Sequence, residues 1–140
     1  MVKKELITDK QAKSINVSKI KEFMLSPICQ RMLSSGKFFR EVPFNIELPF
    51  EELYPTIDTD VITEDSILLQ GVIDCYFEED NKIVLIDYKT DYIQKGEIES
   101  IKKKYSIQIS YYSRALELLT GLPVSERYIY LFSIGELVEI

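Results

Sequence analysis

Two apolar segments joined by a short polar turn constrain the fold of this chain more than any other feature. Residues 67–77 and 83–88 are both predicted to be strands, and Glu79, Asp80 and Asn81 supply the turn between them. The second segment opens with four consecutive aliphatic residues, a pattern typical of a strand buried on both faces. The sequence therefore predicts a β-hairpin within a covered sheet.

Helical patterns precede and follow this hairpin. Apolar residues at helical spacing and a cap at Ser18 predict a helix over residues 19–25. Ser26 and Pro27 predict the start of another helix that ends near Gly36. A short helix is also expected after Thr8 and Asp9. The longest helical pattern covers residues 97–120, with a possible break near Tyr105.

Further strand patterns complete the predicted sheet. Residues 39–48 alternate between apolar and polar, and Pro43 within them favours an edge strand. Residues 49–65 are acidic and irregular, which predicts a loop, and strands are expected at 127–133 and 137–140. Helices, three antiparallel strands, a helix and a strand in this order predict an α/β fold built on a mixed sheet.

Composition limits the chemistry available to this chain. Of its 140 residues, 46% are hydrophobic and 29% are charged, as in globular domains, and no apolar run is long enough to cross a membrane. The chain has no histidine, which excludes histidine-based nucleophilic catalysis and histidine-ligated metal sites from this chain alone. Cys29 and Cys75 are too few for an iron–sulfur cluster and are expected to be reduced thiols in a cytoplasmic protein.

The net charge of −6 is unevenly distributed. The first forty residues carry nine Lys or Arg against three Asp or Glu, whereas residues 41–80 carry twelve acidic residues and no basic ones. An acidic protein is a poor general binder of nucleic acid, because cationic contacts supply most of the affinity for phosphates. A basic strip gathered on one side of the fold can still make such contacts, so charge alone does not decide this point.

Aspartates near the ends of the two hairpin strands form the most distinctive chemical group. Asp74 and Asp87 each follow an apolar run, and the tight turn makes them candidates for neighbours. Lys89 shares the face of Asp87 because strand side chains alternate. Buried carboxylates are costly unless they are paired or bound to metal. The pattern predicts a divalent-cation site suited to phosphodiester hydrolysis, with Lys89 orienting water or stabilising the transition state.

The helix after the hairpin adds a second polar pair. Gln108 and Tyr112 lie four residues apart and share one helix face, where an amide and a phenol can hold a phosphate or a base edge. Each feature alone also has a structural interpretation. An Asp-x-Lys pair is usually a surface salt bridge, a tyrosine at helical spacing is usually part of the core, and the lysine run at 102–104 is usually solvated. Their combination in this order favours a functional site.

Three motifs taken together resemble one nuclease family. Gly-Val-Ile-Asp ends at Asp74, Asp-Tyr-Lys-Thr-Asp starts at Asp87, and Gln-x-x-x-Tyr starts at Gln108. These motifs resemble the RecB-type branch of the PD-(D/E)xK nuclease superfamily. The segments 39–44, 69–75 and 128–133 further resemble the C-terminal nuclease domains of bacterial AddA-type helicase–nucleases. The resemblance extends from about residue 15 to the end and implies a restriction-endonuclease-like mixed sheet flanked by helices.

The resemblance also implies roles for individual residues. Asp74 and Asp87 would ligate Mg²⁺, with Mn²⁺ as a substitute, and the main-chain carbonyl of Tyr88 would be a further ligand. Lys89 would be the catalytic lysine, acting together with the two aspartates. The DNA-binding and site-shaping residues would be Thr90, Gln108 and Tyr112.

A larger assembly is implied as well. Residues 1–140 would form one domain, the C-terminal part of a nuclease domain, with a helical lead-in at 1–36 and a nuclease core at 37–140. The implied function is metal-dependent exonuclease activity within an ATP-dependent helicase/nuclease that processes double-strand DNA ends for recombinational repair. Its implied partners are DNA, as a single strand at a processed end, and the B subunit of an AddAB-type complex, with no membrane.

The chain departs from the family pattern in one important way. RecB-type nucleases also use an upstream metal-ligating histidine, and this chain has no histidine. It has no phosphate-binding loop either, so the ATPase motor is expected to lie outside this chain. We therefore expect the chain to be the C-terminal piece of a longer protein. Glu41 is a substitute ligand if it faces Asp74, although a structural role is the stronger expectation. A non-catalytic module that docks DNA or another protein of the complex is the alternative, and a Cas4-type nuclease is disfavoured by the cysteine count.

Overall fold

The computed structural model describes residues 17–49 and 66–140. The elements in chain order are α1 (Val17–Met24), α2 (Pro27–Ser35), β1 (Phe38–Pro49), β2 (Ser66–Glu79), β3 (Lys82–Lys89), a 3-10 turn (Lys95–Glu97), α3 (Ile98–Thr120), β4 (Val124–Leu131) and β5 (Glu136–Glu139). The predicted short helix after Thr8 and most of the predicted acidic loop lie outside the described residues. No helix in the described part of the chain is long and apolar enough to cross a membrane.

The five strands form one sheet in the order β1-β2-β3-β4-β5. β1 to β3 pair antiparallel, β3 and β4 pair parallel, and β5 returns antiparallel to β4. The parallel pair requires a crossover connection, which α3 provides. Pro43 lies in β1, an edge strand, where a missing N–H donor is tolerated. The predicted mixed sheet with flanking helices is confirmed.

The turn between β2 and β3 follows from its sequence. Asp80 and Asn81 both have positive φ angles, 54° and 60°, as the two central residues of a type I′ hairpin turn require. Asp and Asn tolerate this left-handed backbone better than most residues. The turn sets the register that pairs Glu79 with Lys82 and Cys75 with Ile86.

Each face of the sheet packs against different helices. One core cluster joins Phe23, Ile28 and Met32 of α1 and α2 to Phe77, Val84 and Ile86 of the sheet. The other joins Ile101, Ile109 and Leu116 of α3 to Ile73, Ile83 and Leu85. Residues 83–86 are buried and alternate between the two clusters, so β3 is covered on both faces as its aliphatic run predicts.

Of three local helix predictions, two need correction and one is confirmed. The predicted break near Tyr105 is wrong, because α3 runs without interruption over Ile98–Thr120. The first described helix starts at Val17, so Ser18 lies inside it rather than capping it. The start of α2 is confirmed, since the side chain of Ser26 accepts a hydrogen bond from the Cys29 N–H and Pro27 is the first helical residue.

Candidate active site

The two aspartates lie opposite each other at the end of the β2–β3 ladder. The last pair of this ladder is Cys75 with Ile86, and the same register continued by one residue places Asp74 across from Asp87. Asp87 is only 3% exposed, and Asp74 is half-buried. The Tyr88 N–H donates to Oδ2 of Asp74 at 2.9 Å, which fixes this carboxylate against the backbone of β3.

Lys89 is the cation nearest to this pair. Its Nζ lies 2.7 Å from Oδ2 of Asp87, and the two side chains are 14% and 4% exposed. The pair is therefore buried, unlike the surface salt bridge that the Asp-x-Lys pattern usually indicates. Oδ2 of Asp87 accepts no hydrogen bond from the described residues despite its burial, so the contact with Lys89 is an ion pair without hydrogen-bond geometry.

Helix α3 connects Lys89 to the predicted glutamine and tyrosine. Lys89 Nζ donates to Oε1 of Gln108 at 2.8 Å, and Nε2 of Gln108 donates to the Tyr112 hydroxyl at 3.1 Å. This orientation of the amide leaves both of its ends hydrogen-bonded. The structure thus brings together Asp74, Asp87, Lys89, Gln108 and Tyr112, all predicted from the sequence.

Phe44 of β1 packs against the Tyr112 ring beside the cluster. The rings of Phe44 and Tyr112 lie 5.4 Å apart in an edge-to-face arrangement. They meet over Gly71, where a Cβ atom would lie 2.9 Å from the Phe44 ring and 3.6 Å from Tyr112. The glycine in the Gly-Val-Ile-Asp motif is therefore needed for this packing beside the site.

A groove opens next to this packing, between the β1–β2 hairpin and α3. It has a volume of about 400 Å³, within the range of small-ligand sites. Apolar and aromatic side chains line most of it, and Gln108 and Tyr112 belong to both the groove and the aspartate–lysine cluster. The other lining residues are Phe44, Leu69, Gln70, Lys104, Ile107 and Tyr111.

Burial and like charge change the protonation of this cluster. Burial first, and then the charge of Asp87, raise the pKa of Asp74 to about 7, although the Tyr88 N–H and Lys89 oppose the rise. Burial, followed by the charges of Asp87 and Asp74, also raises the pKa of Tyr112, so its phenol is neutral and can act as a donor. One nearby ammonium leaves a site of net negative charge when both aspartates are ionised.

The chemistry of the donor set fits a divalent cation. Two neighbouring carboxylates are hard oxygen ligands, although Oδ2 of Asp87 already lies 2.7 Å from Lys89 Nζ, so a cation bound at that oxygen would share it with the ammonium. No third His, Cys, Asp or Glu completes a metal-binding group within residues 17–49 and 66–140. The carboxylates that are present can therefore hold one side of a hard cation.

Other predicted residues are placed differently. Glu41 has a positive φ of 50° and is skipped in the β1–β2 ladder, whose flanking pairs, Arg40 with Cys75 and Val42 with Ile73, also leave Asp74 unpaired. Its side chain is about half exposed and pairs with the neighbouring Arg40 at 3.0 Å. Thr90 directly follows β3 and is exposed. The Tyr88 side chain is buried in the core cluster on the α1–α2 face.

Sequence reasoning missed Tyr105, which contacts this cluster, and Asp91, which contacts Tyr105. The Tyr105 ring lies 4.0 Å from Lys89 Nζ, and the Tyr105 hydroxyl donates to Asp91 at 2.8 Å. A signal was available, because Tyr105, Gln108 and Tyr112 are spaced i, i+3 and i+7 and therefore share one face of α3. The expected helix break near Tyr105 concealed that shared face.

Comparisons with known proteins identify the family of this chain. A model of the PD-(D/E)XK nuclease superfamily matches residues 7–136. The A-type subunits of ATP-dependent helicase/nucleases are 65% identical over 139 residues in Ruminiclostridium cellulolyticum and 51% identical over 138 residues in Acetivibrio thermocellus. These alignments cover 99% of this chain but only 11% of each relative's length. The chain therefore belongs to the PD-(D/E)XK nuclease superfamily.

Proposed function

We propose that this chain is a metal-dependent DNA nuclease domain whose active site is the cluster of Asp74, Asp87 and Lys89. The single observation that carries the proposal is a cluster of two carboxylates and one lysine, of which Asp87 and Lys89 are buried. The cluster lies at the end of the β2–β3 ladder away from the turn. Such an arrangement is costly for a purely structural site. Because the chain belongs to a nuclease superfamily, catalysis is a reason for such a cluster to be present despite its energetic cost.

In this proposal Asp74 and Asp87 hold a divalent cation, Mg²⁺ in the cell and Mn²⁺ as a substitute. The main-chain carbonyl of Tyr88 is a further proposed ligand. A bound divalent cation supplies Lewis-acid stabilisation of negative charge on the scissile phosphate and makes water a better nucleophile at neutral pH. The two facing carboxylates, which share a single ammonium for charge compensation, support a cation on this side of the cluster.

The remaining residues act on the substrate. Lys89 presents an ammonium that can orient the attacking water or stabilise charge as it builds on the phosphate. Gln108 holds Lys89 at 2.8 Å and is itself held by Tyr112, so α3 fixes the direction of the ammonium. Gln108, Tyr112 and Thr90 are the proposed contacts to DNA, and the groove beside Gln108 and Tyr112 gives a single strand a path to the cluster.

The wider role rests on the named relatives. The A-type subunits of ATP-dependent helicase/nucleases contain a region similar to nearly the whole of this chain. We infer that residues 1–140 form the C-terminal part of a nuclease domain, with residues 1–36 as its lead-in and 37–140 as its core. The proposed parent protein is cytoplasmic and digests DNA ends during recombinational repair, together with an AddB-type B subunit.

One observation supports a second candidate function. Only two carboxylates meet at the cluster within the described residues, and the chain has no histidine to add. A site with so few ligands binds a cation weakly when nothing completes it. In that case this chain serves as a non-catalytic module that docks DNA or another protein of the complex.

The deciding experiment compares Asp87→Asn with the matched control Asp80→Asn. Both substitutions remove one carboxylate charge, but Asp80 is exposed in the turn at the opposite end of β3. We expect Asp87→Asn to lower Mg²⁺-dependent cleavage of a labelled single strand by more than about 100-fold and to abolish Mn²⁺ binding in calorimetry. Asp80→Asn should change neither quantity by more than about two-fold.

Two outcomes would contradict the nuclease proposal. Undiminished cleavage by Asp87→Asn would show that the activity resides elsewhere. A wild-type protein that retains single-stranded DNA but neither binds Mn²⁺ nor cleaves would support the docking module.

A further inference from the structure

Three groups surround the ammonium of Lys89, and one of them is an aromatic ring. Oδ2 of Asp87 lies at 2.7 Å, Oε1 of Gln108 at 2.8 Å and the centre of the Tyr105 ring at 4.0 Å from Nζ. A cation over the face of an aromatic ring is attracted by the negative electrostatic potential of that face. This attraction is strongest where water is excluded, and the Lys89 side chain is only 14% exposed.

The Tyr105 ring is itself held in place. Its hydroxyl contacts both carboxylate oxygens of Asp91, at 3.1 and 2.8 Å, and Asp91 pairs with Lys104 at 3.2 Å. Partial burial of Asp91 opposes its ionisation, but the hydrogen bonds from Tyr105 and Lys104 outweigh this and lower its pKa. An ionised Asp91 therefore anchors the hydroxyl and keeps the ring face turned toward Lys89.

The ring differs from the other two contacts in one respect. A cation bound to Asp87 would compete with Lys89 for the same carboxylate and would repel the ammonium. The Asp87 contact is then weakened at the moment when Lys89 is needed. Gln108 and Tyr105 carry no formal charge, so a bound cation would not compete with Lys89 for them. They can therefore hold Lys89 whether or not a cation is bound to Asp87.

We propose that Tyr105 is a positioning residue that holds Lys89 at the active site through its ring face, with Asp91 anchoring its hydroxyl. This inference rests on the proposed nuclease function, because it assigns a purpose to the placement of Lys89. Its direct consequence is that the aromatic face at position 105 matters more than the hydroxyl.

The test compares Tyr105→Leu, which removes the ring, with Tyr105→Phe, which keeps the ring and removes the hydroxyl. Tyr92→Leu is the matched control, because Tyr92 is 92% exposed. At saturating single-stranded DNA and Mg²⁺ we expect Tyr105→Leu to lower kcat about 5- to 30-fold, the range that corresponds to a desolvated cation–π contact. KM should stay within about two-fold, Tyr105→Phe should retain at least about a third of kcat, and Tyr92→Leu should match the wild type.

Two further measurements show whether Tyr105 acts through Lys89. In a Lys89→Ala background the addition of Tyr105→Leu should cause no further loss of cleavage. Independently of activity, the rate at which an acetylating reagent modifies Lys89, followed by mass spectrometry, should rise several-fold in Tyr105→Leu and less in Tyr105→Phe. If Tyr105→Leu does not fold, fluorinated phenylalanines at position 105 weaken the ring face at nearly constant shape, and kcat should fall with each added fluorine.

Several results would overturn the inference. These are an unchanged kcat in Tyr105→Leu, an equal loss in Tyr105→Phe, a full additional loss in the Lys89→Ala background, or no response to fluorination. Undiminished cleavage by Asp87→Asn is a different result, since it removes the proposed function and leaves the contact between Tyr105 and Lys89 unaffected.

Discussion

Two clusters in this molecule each place one basic side chain among two acidic ones, yet they have opposite effects on protonation. At the first, Arg31 of α2 bridges Glu79 of β2 and Glu126 of β4, with closest distances of 2.7 Å to each. Hydrogen bonds from Arg31 and Tyr128 lower the pKa of Glu126 to about 2. At the second, burial and Asp87 raise the pKa of Asp74 to about 7.

Geometry explains the difference. The guanidinium of Arg31 is a planar fork that donates to both oxygens of each glutamate, so it separates the two acids and satisfies them. The ammonium of Lys89 lies to one side of Asp87 and leaves the two aspartates facing each other. Equal numbers of charges thus produce two different arrangements: a fully hydrogen-bonded ion cluster around Arg31, here called the Arg31 clamp, and a pair of facing aspartates with one ammonium at their side.

The largest expected effect on stability comes from removing Arg31, the centre of the Arg31 clamp. Arg31→Met keeps the apolar stem but leaves Glu79 and Glu126 without their shared donor and beside α2. We expect the free energy of unfolding at pH 7 to fall by about 2 kcal/mol, since hydrogen bonds to charged groups are lost and the pair is only partly exposed. Chemical denaturation measures this loss, and Lys21→Met on an exposed surface of α1 is the control. An unchanged midpoint would show that the clamp contributes nothing.

An effect of comparable size and opposite sign is expected at the aspartate cluster. The pKa of Asp74 is raised above its ordinary value of 3.8, so its folded form retains a proton that the unfolded chain releases. Metal-free stability should therefore be full below about pH 4 and decline as the pH rises toward 7. Asp74→Asn should remove this decline and raise the free energy of unfolding at pH 8 by about 1–3 kcal/mol, discounted for partial exposure.

Thermal unfolding in a chelator at about pH 4 and pH 8, on either side of the titration, measures the difference between Asp74→Asn and the wild type. If Asp74→Asn were less stable than the wild type at the higher pH, this would contradict the claim that the ionised Asp74 destabilises the metal-free fold. Addition of Mn²⁺ at that pH should raise the Tm of the wild type and leave that of Asp74→Asn nearly unchanged.

The smallest expected effect is the acid response of the clamp. The pKa of Glu126 is depressed from 4.5 to about 2, so its contribution to stability is present above pH 4.5 and is lost as the pH falls toward 2. Glu126→Gln should flatten this part of the stability profile by about 1 kcal/mol, because the pair is partly solvent-screened. Urea titrations at several acidic pH values measure the slope, and identical slopes in both proteins would contradict the role of Glu126.

Local patterns predicted that Asp74, Asp87 and Lys89 lie close together. The turn at Asp80 and Asn81 fixes the hairpin register, and this register alone brings Asp74 opposite Asp87. Strand alternation then places Lys89 beside Asp87. These relations depend on residues close in sequence, so they can be worked out without knowing how the rest of the chain packs.

Contacts between distant elements could not be predicted in this way. The position of Tyr105 over Lys89 depends on where α3 lies across the sheet, and the Arg31 clamp joins α2 to two strands far along the chain. Even within β2 the pattern is incomplete. Ile73 and Cys75 are two residues apart, yet they belong to core clusters on opposite faces. The strand therefore departs from simple alternation at Asp74, and no sequence period signals that departure.

The parallel pairing of β3 with β4 has a consequence for how the site assembles. The β2–β3 hairpin closes over a two-residue turn, whereas the β3–β4 ladder forms only after the whole of α3 has been enclosed in a loop. Local hairpins form faster than long-range pairings, because less chain entropy is lost on closing the shorter loop. Asp74 and Asp87 are thus expected to meet early in folding, before α3 arrives with Tyr105 and Gln108, so their mutual repulsion slows the first step rather than the last.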